Sequence, residues 1–123
     1  MFYVSHEPRG ANINLSVLTE YAKAKGHDIR WVFTKSFNVG QHPREALAVA
    51  ETFAADFDFE KDVFGVVGGD PIAGVICAMA LTHEAAAVGA KSINSFRFVR
   101  DRDEEGNRTK DNYVEITIPT GVR

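Results

Sequence analysis

The chain has 123 residues, 45% of them hydrophobic and 25% charged, with a formal net charge of −3. That is one domain's worth of ordinary composition, and it excludes an intrinsically disordered chain, which could not bury enough apolar surface to offset its ordering entropy. The acidic balance argues against a non-specific nucleic-acid binder, and no run reaches the roughly 18 uninterrupted apolar residues of a membrane span.

Phe2–Ser5 is short and apolar and reads as a first strand, ended by the polar, Pro- and Gly-containing stretch His6–Asn12. Ile13, Val17, Leu18, Tyr21 and Ala22 then recur at helical spacing, with Asn12 or Asn14 as N-cap and Gly26 as the stop. The β-branched and aromatic segment Ile29–Thr34 predicts a second strand. His42-Pro43 opens a second helix, marked by Leu47, Ala50, Phe53, Ala54 and Phe57. Val63–Val67 is a continuous apolar run, the signature of a strand covered on both faces. Gly68-Gly69-Asp70-Pro71 turns the chain into a third helix, with Asp70 as N-cap and Pro71 at the first helical position. That helix runs to about Val88 and stops at Gly89. Being apolar nearly all round, it predicts a well-buried helix. Ile93–Arg100 and Tyr113–Ile118 read as two strands of a hairpin with a long solvated tip, Asp101–Asp111.

The order βαβαβαββ predicts one domain over residues 1–123. The fold expected is a three-layer Rossmann-like or flavodoxin-like α/β sandwich, its mostly parallel sheet carrying a C-terminal antiparallel hairpin. Strand order 2-1-3-4 is preferred over 3-2-1, because the third strand is the most apolar and belongs near the centre. In such sheets ligands bind beyond the C-terminal strand ends, where the strand order reverses. That point would unite His6-Glu7-Pro8-Arg9-Gly10 with Gly68-Gly69-Asp70, with Lys35–His42 at the rim.

The Gly68-Gly69-Asp70 turn is weaker as a phosphate loop than it first looks. The Asp70 cap occupies helix N-terminal donors and adds a negative charge, and Pro71 removes another donor. The turn therefore reads first as structural and second as a contact for a hydroxyl-bearing ligand through Asp70. Arg9 and Gly10, just before the first helix and its neutral cap Asn12, make a better anion site, since guanidinium offers a planar fork of donors. The plain reading is a surface cation and a permissive turn. His6 and His42 could face the crevice as base or ligand, but no HxH, HExxH or CxxC spacing supports a metal, so none is expected. A satisfied or solvated imidazole is the reading preferred for each. No GxSxG elbow is present, and no cofactor is called for. Phe37 and Val39, in an otherwise polar loop, either tuck back onto the sheet or form a lid or partner patch.

The single cysteine, Cys77, sits in Val75-Ile76-Cys77-Ala78-Met79 and reads as a buried small hydrophobe. The segment Met1–Glu7 lacks the basic flank and apolar core of a secretory signal, so a reduced, cytoplasmic setting is expected. The mixed charges of the hairpin suit a solvated edge, and the strand Tyr113–Ile118 offers a surface for self-association.

The stretch Asp62-Val63-Phe64-Gly65-Val66-Val67-Gly68-Gly69-Asp70-Pro71-Ile72-Ala73-Gly74, followed by an Ala-rich helix and a closing Arg-rich strand pair, resembles small uncharacterised proteins encoded by tailed bacteriophages. The resemblance spans roughly 62–118. It implies an accessory protein of the infected host's cytoplasm and brings no activity or catalytic residues with it. Three readings of function remain open at this point. The first is a non-catalytic crevice for a nucleotide-like or other anionic small molecule, held by His6, Arg9, Gly10, Asn12, His42, Gly68, Gly69 and Asp70. The second is a module that binds a host or phage protein. The third is a small hydrolase or transferase using His6 or His42 as base.

Overall fold

A computed structural model describes residues 1–8, 13–102, 104–106 and 108–123. Five strands and three helices alternate as β1 (Phe2–His6), α1 (Ile13–Ala24), β2 (Ile29–Phe33), α2 (Pro43–Asp56), β3 (Val63–Gly65), α3 (Pro71–Val88), β4 (Ser92–Arg102) and β5 (Arg108–Pro119). They form one mixed sheet in the order β2-β1-β3-β4-β5. β1 pairs in parallel with β2 and with β3, β3 pairs in parallel with β4, and β4 pairs antiparallel with β5. The strand order expected from the apolar third strand is therefore the one observed.

Two clusters of buried side chains flank the sheet, and the alternation along β1 assigns them to its faces. Tyr3 joins Phe33 and Phe64 against Phe53 and Ala54 of α2 and Cys77 and Leu81 of α3. Phe2 and Val4 point the other way, to Leu18 and Ala22 of α1 and to Phe96 and Tyr113 of the hairpin. Phe2 stacks on Phe96 with ring centroids 5.5 Å apart and planes 11° from parallel. The Phe96 ring lies across β3 where a side chain at Gly65 would stand, since a Cβ there would come within 2.4 Å of it.

Several boundaries differ from expectation for physical reasons. β3 is three residues long, not five, because the chain leaves the sheet at Val66, which is exposed, and returns Val67 to the core. The hairpin strands extend much further than the charge pattern suggests, so the expected long tip of 101–111 is a short turn. Its ladder runs from Ser92↔Pro119 to Arg102↔Arg108 with an irregularity near Asp101. Backbone pairing there does not depend on apolar side chains. α1 starts at Ile13, which leaves Asn14 inside the helix, and the alternative cap Asn12 lies outside the described residues.

α3 departs most from expectation. Its termini fall where predicted: the Asp70 carboxylate accepts from Ile72 N, Pro71 opens the first turn, and Gly89 caps the end at φ 75°. Yet it is not well buried. Ala73, Cys77, Ala80, Leu81 and Ala85 form its inner side, while Ile72, Val75, Met79 and Val88 are exposed. Among the described residues it is also the helix with the length and mean hydropathy (18 residues, 1.5) of a membrane span, with a third of that window buried in the fold.

Candidate functional site at the strand-order reversal

β1 lies between β2 and β3, so the chain reverses its direction of travel across the sheet there. A crevice of about 530 Å³ opens beyond the C-terminal ends of these strands. It is lined by His6, Glu7 and Pro8 from the end of β1, Phe37 and Asn38 from the loop after β2, and Gly68, Gly69 and Asp70 from the turn into α3. The volume falls within the ~300–1,000 Å³ range of small-molecule sites.

His6 organises this crevice. It is 6% exposed, and its Nδ1 accepts a hydrogen bond from Asp70 N at 2.8 Å. A nitrogen that accepts from a backbone N–H carries no proton, so the ring proton is on Nε2, which faces Thr34 O at 3.1 Å and donates to it. The ring thus ties the end of β1 to the end of β2 on one side and to the start of α3 on the other. With both nitrogens engaged by backbone, His6 is not poised as a general base. The satisfied-histidine reading describes it.

Gly69 is a consequence of that ring. Its φ is +71°, and a Cβ there would lie 2.7 Å from the His6 Cβ and 2.9 Å from Cγ. Only glycine combines the left-handed backbone with so close an approach. Gly68 is also left-handed, at φ 70°, so the two residues expose a run of backbone to the crevice before Asp70 caps α3.

The loop after β2 supplies the opposite wall. Phe37 packs on Phe33 with centroids 5.1 Å apart while still lining the crevice, and Val39 is fully buried. The loop therefore tucks back onto the sheet. Asn38 Oδ1 accepts from Gln41 N at 3.1 Å and holds the loop's turn. His42 is at the N-cap position of α2 without a side-chain cap bond, and it meets the edge of Phe37 from outside the crevice lining.

Of the residues singled out from the sequence, the structure thus brings together His6, Gly68, Gly69 and Asp70. His42 contacts Phe37 but does not line the crevice, and Arg9, Gly10 and Asn12 lie outside the described residues. Glu7, Pro8, Phe37 and Asn38 complete the lining and were not among the candidate ligand residues. The signal for them was adjacency, since each neighbours a strand end that the reversal brings to one place. Among the described residues, no group of three or more His, Cys, Asp or Glu side chains converges as a metal-ligand set. Comparison with protein-family models, with curated proteins and with solved structures finds no match to this chain.

Proposed function

We propose that this chain is a small non-catalytic binding module whose crevice takes a nucleotide-like small molecule. The observation that carries the reading is the convergence, at the strand-order reversal, of an aromatic wall, Phe37, with two carboxylates, Glu7 and Asp70, and a run of glycine backbone. Asp70 commits Oδ1 to the helix cap, and its carboxylate faces the crevice to accept from sugar hydroxyls. Phe37 offers a face on which a base can stack. The described lining contains no cation, and Arg9, which follows Pro8 in the sequence and lies outside the described residues, is the candidate partner of an anionic group. The engagement of both His6 nitrogens weighs against the hydrolase or transferase reading.

The strand order and the two flanking clusters support the finer description of the fold as a flavodoxin-like three-layer sandwich with an antiparallel edge. The resemblance of 62–118 to phage proteins supports an accessory role in an infected host's cytoplasm.

The test is isothermal titration calorimetry with adenosine and AMP, followed by a wider nucleoside and nucleotide panel. Asp70→Asn preserves the cap, because asparagine is also a good N-cap, and removes only the charge. It is expected to weaken binding about tenfold, or about 1.4 kcal/mol, at an unchanged unfolding midpoint. Arg9→Ala is expected to abolish any preference for the nucleotide over the nucleoside. The reading fails if no member of the panel binds at millimolar concentration. It fails equally if Asp70→Asn and Glu7→Gln leave the affinity unchanged.

A further inference from the structure

The exposed flank of α3 is apolar to a degree that the crevice does not explain. Of the residues on this helix that are exposed, His83 alone is titratable. Val75 and Met79, 53% and 62% exposed, stand out as a ridge. Beside this ridge the hairpin presents a second apolar surface. Register sets Ile93 opposite Ile118, and Ser95 opposite Ile116, on the face of the hairpin turned away from α1. The other face, with Phe96 and Tyr113, packs into the core beside α1, while on this face Ile93 is partly buried against the α2–α3 cluster and Ile116 and Ile118 stay exposed. Among the described residues no helix covers the Ile116 face, and a groove of about 450 Å³ runs between it and α3. Gly74, Ala78 and Thr82 line the helix side of the groove, and Ser95, Ile118 and Thr120 line the strand side.

We infer that this face is the interface between two copies of the chain, with the Val75–Met79 ridge of each seated in the groove of the other. Three observations favour a second copy as the occupant. Ridge and groove lie side by side on one surface, so a two-fold axis makes the surface complementary to itself, as an isologous dimer requires. Ile72, Val75 and Met79 on α3, with Val66 and with Val114, Ile116 and Ile118 on β5, leave on the order of 600 Å² in water, close to the ~800 Å² per partner of a stable interface. Arg97 is the one charged residue lining the groove, as expected for the depleted charge of an interface centre. A lipid surface fits less well. Helices that lie on membranes carry Lys and Arg on their polar side, and α3 has neither.

Sedimentation velocity of the full chain at tens of micromolar tests the inference, and the species expected has twice the 13.5 kDa chain mass. Met79→Glu and Ile116→Lys place a charge on the helix and strand sides of the face, and each is expected to give a monomer with unchanged far-UV circular dichroism. Val75→Ser, a milder change that any folded monomer tolerates, is expected to raise the dimer Kd about tenfold. A wild-type monomer at these concentrations overturns the inference. So does a dimer that all three variants leave intact, because its interface then lies elsewhere. A wild-type monomer that co-sediments with phosphatidylcholine vesicles overturns it in favour of a lipid surface.

Discussion

Replacing His6 by phenylalanine tests whether the imidazole is a tie between backbone segments or only a filler. The phenyl ring is close in size to imidazole and fits beside Gly69, where a Cβ would already lie 2.7 Å from the His6 Cβ, so packing changes little. Two hydrogen bonds are lost, those to Asp70 N at 2.8 Å and to Thr34 O at 3.1 Å. Each is worth about 1 kcal/mol net, and leaving the half-buried Asp70 N–H without a partner adds up to about 1 more, for a total of roughly 2–3 kcal/mol. With an unfolding entropy of about 2.1 cal/mol/K per residue, that lowers the melting temperature by roughly 8–12 °C. His6→Asn is the control. Its side-chain oxygen can take the place of Nδ1 and keep the bond from Asp70 N, so it is expected to lose only the Thr34 bond, about 1 kcal/mol. Thermal and urea denaturation of the three proteins reads the result. If His6→Phe melts within about a degree of the wild type, or if both variants fall by the same amount, His6 does not hold the crevice together as argued.

Ser5 is fully buried in β1, and its Oγ has no hydrogen-bond partner among the described residues, so Ser5→Ala removes a desolvated hydroxyl without breaking a bond seen there. A gain of about 1 kcal/mol and a rise of about 4 °C in the melting temperature are expected, and a fall would show that the hydroxyl has a partner. Burial pushes the Cys77 thiol from its ordinary value of 9.0 up to about 12. The folded chain therefore keeps a proton that the unfolded chain gives up, and the associated stability is complete below pH 9.0 and is lost as pH rises toward about 12. Burial raises the Tyr3 and Tyr113 hydroxyls in the same direction. Urea midpoints measured from neutral to strongly alkaline pH should decline over that window, less steeply in Cys77→Ala, and the native thiol should resist alkylation. Alkylation of the native protein at the rate of an unfolded peptide would contradict the burial argument.

The architecture was legible because its signals are local and periodic. The Asp70-Pro71 start and Gly89 stop of α3 are chemical features of the chain itself, and they fall where the caps do. The position of β3 inside the sheet followed from the apolar run at Val63. What the sequence could not show was the pairing of distant groups. The His6 ring bonds residues 28 and 64 positions away, so nothing near it in the chain distinguishes a base from a tie. The burial of α3 was misjudged for a related reason. An all-apolar helix records a need for apolar contact on every side, but not whether each side meets the same chain. Its inner side meets α2 and the sheet, while Val75 and Met79 meet neither.

The crevice and the apolar face are two separate surfaces that share one helix. The crevice lies at the N-terminal end of α3, between β1, the loop after β2 and the Gly68-Gly69 turn, whereas the groove lies along the helix on the side of β4 and β5. No described residue lines both. A partner seated on the Val75–Met79 ridge would therefore leave the crevice open, and two bound ligands could coexist in one dimer. Two short connections join the two surfaces, α3 from the Asp70 cap to the groove beside Gly74 and Ala78, and the segment from Val66 in the groove to Gly68 in the crevice. A Cβ at Gly74 would lie 2.9 Å from Val66, so the start of the helix has no slack against the segment that follows β3, and the two connections are packed against each other. Met79 is 62% exposed and well along the flank, so charge placed there is expected to separate the copies without disturbing the ring of His6.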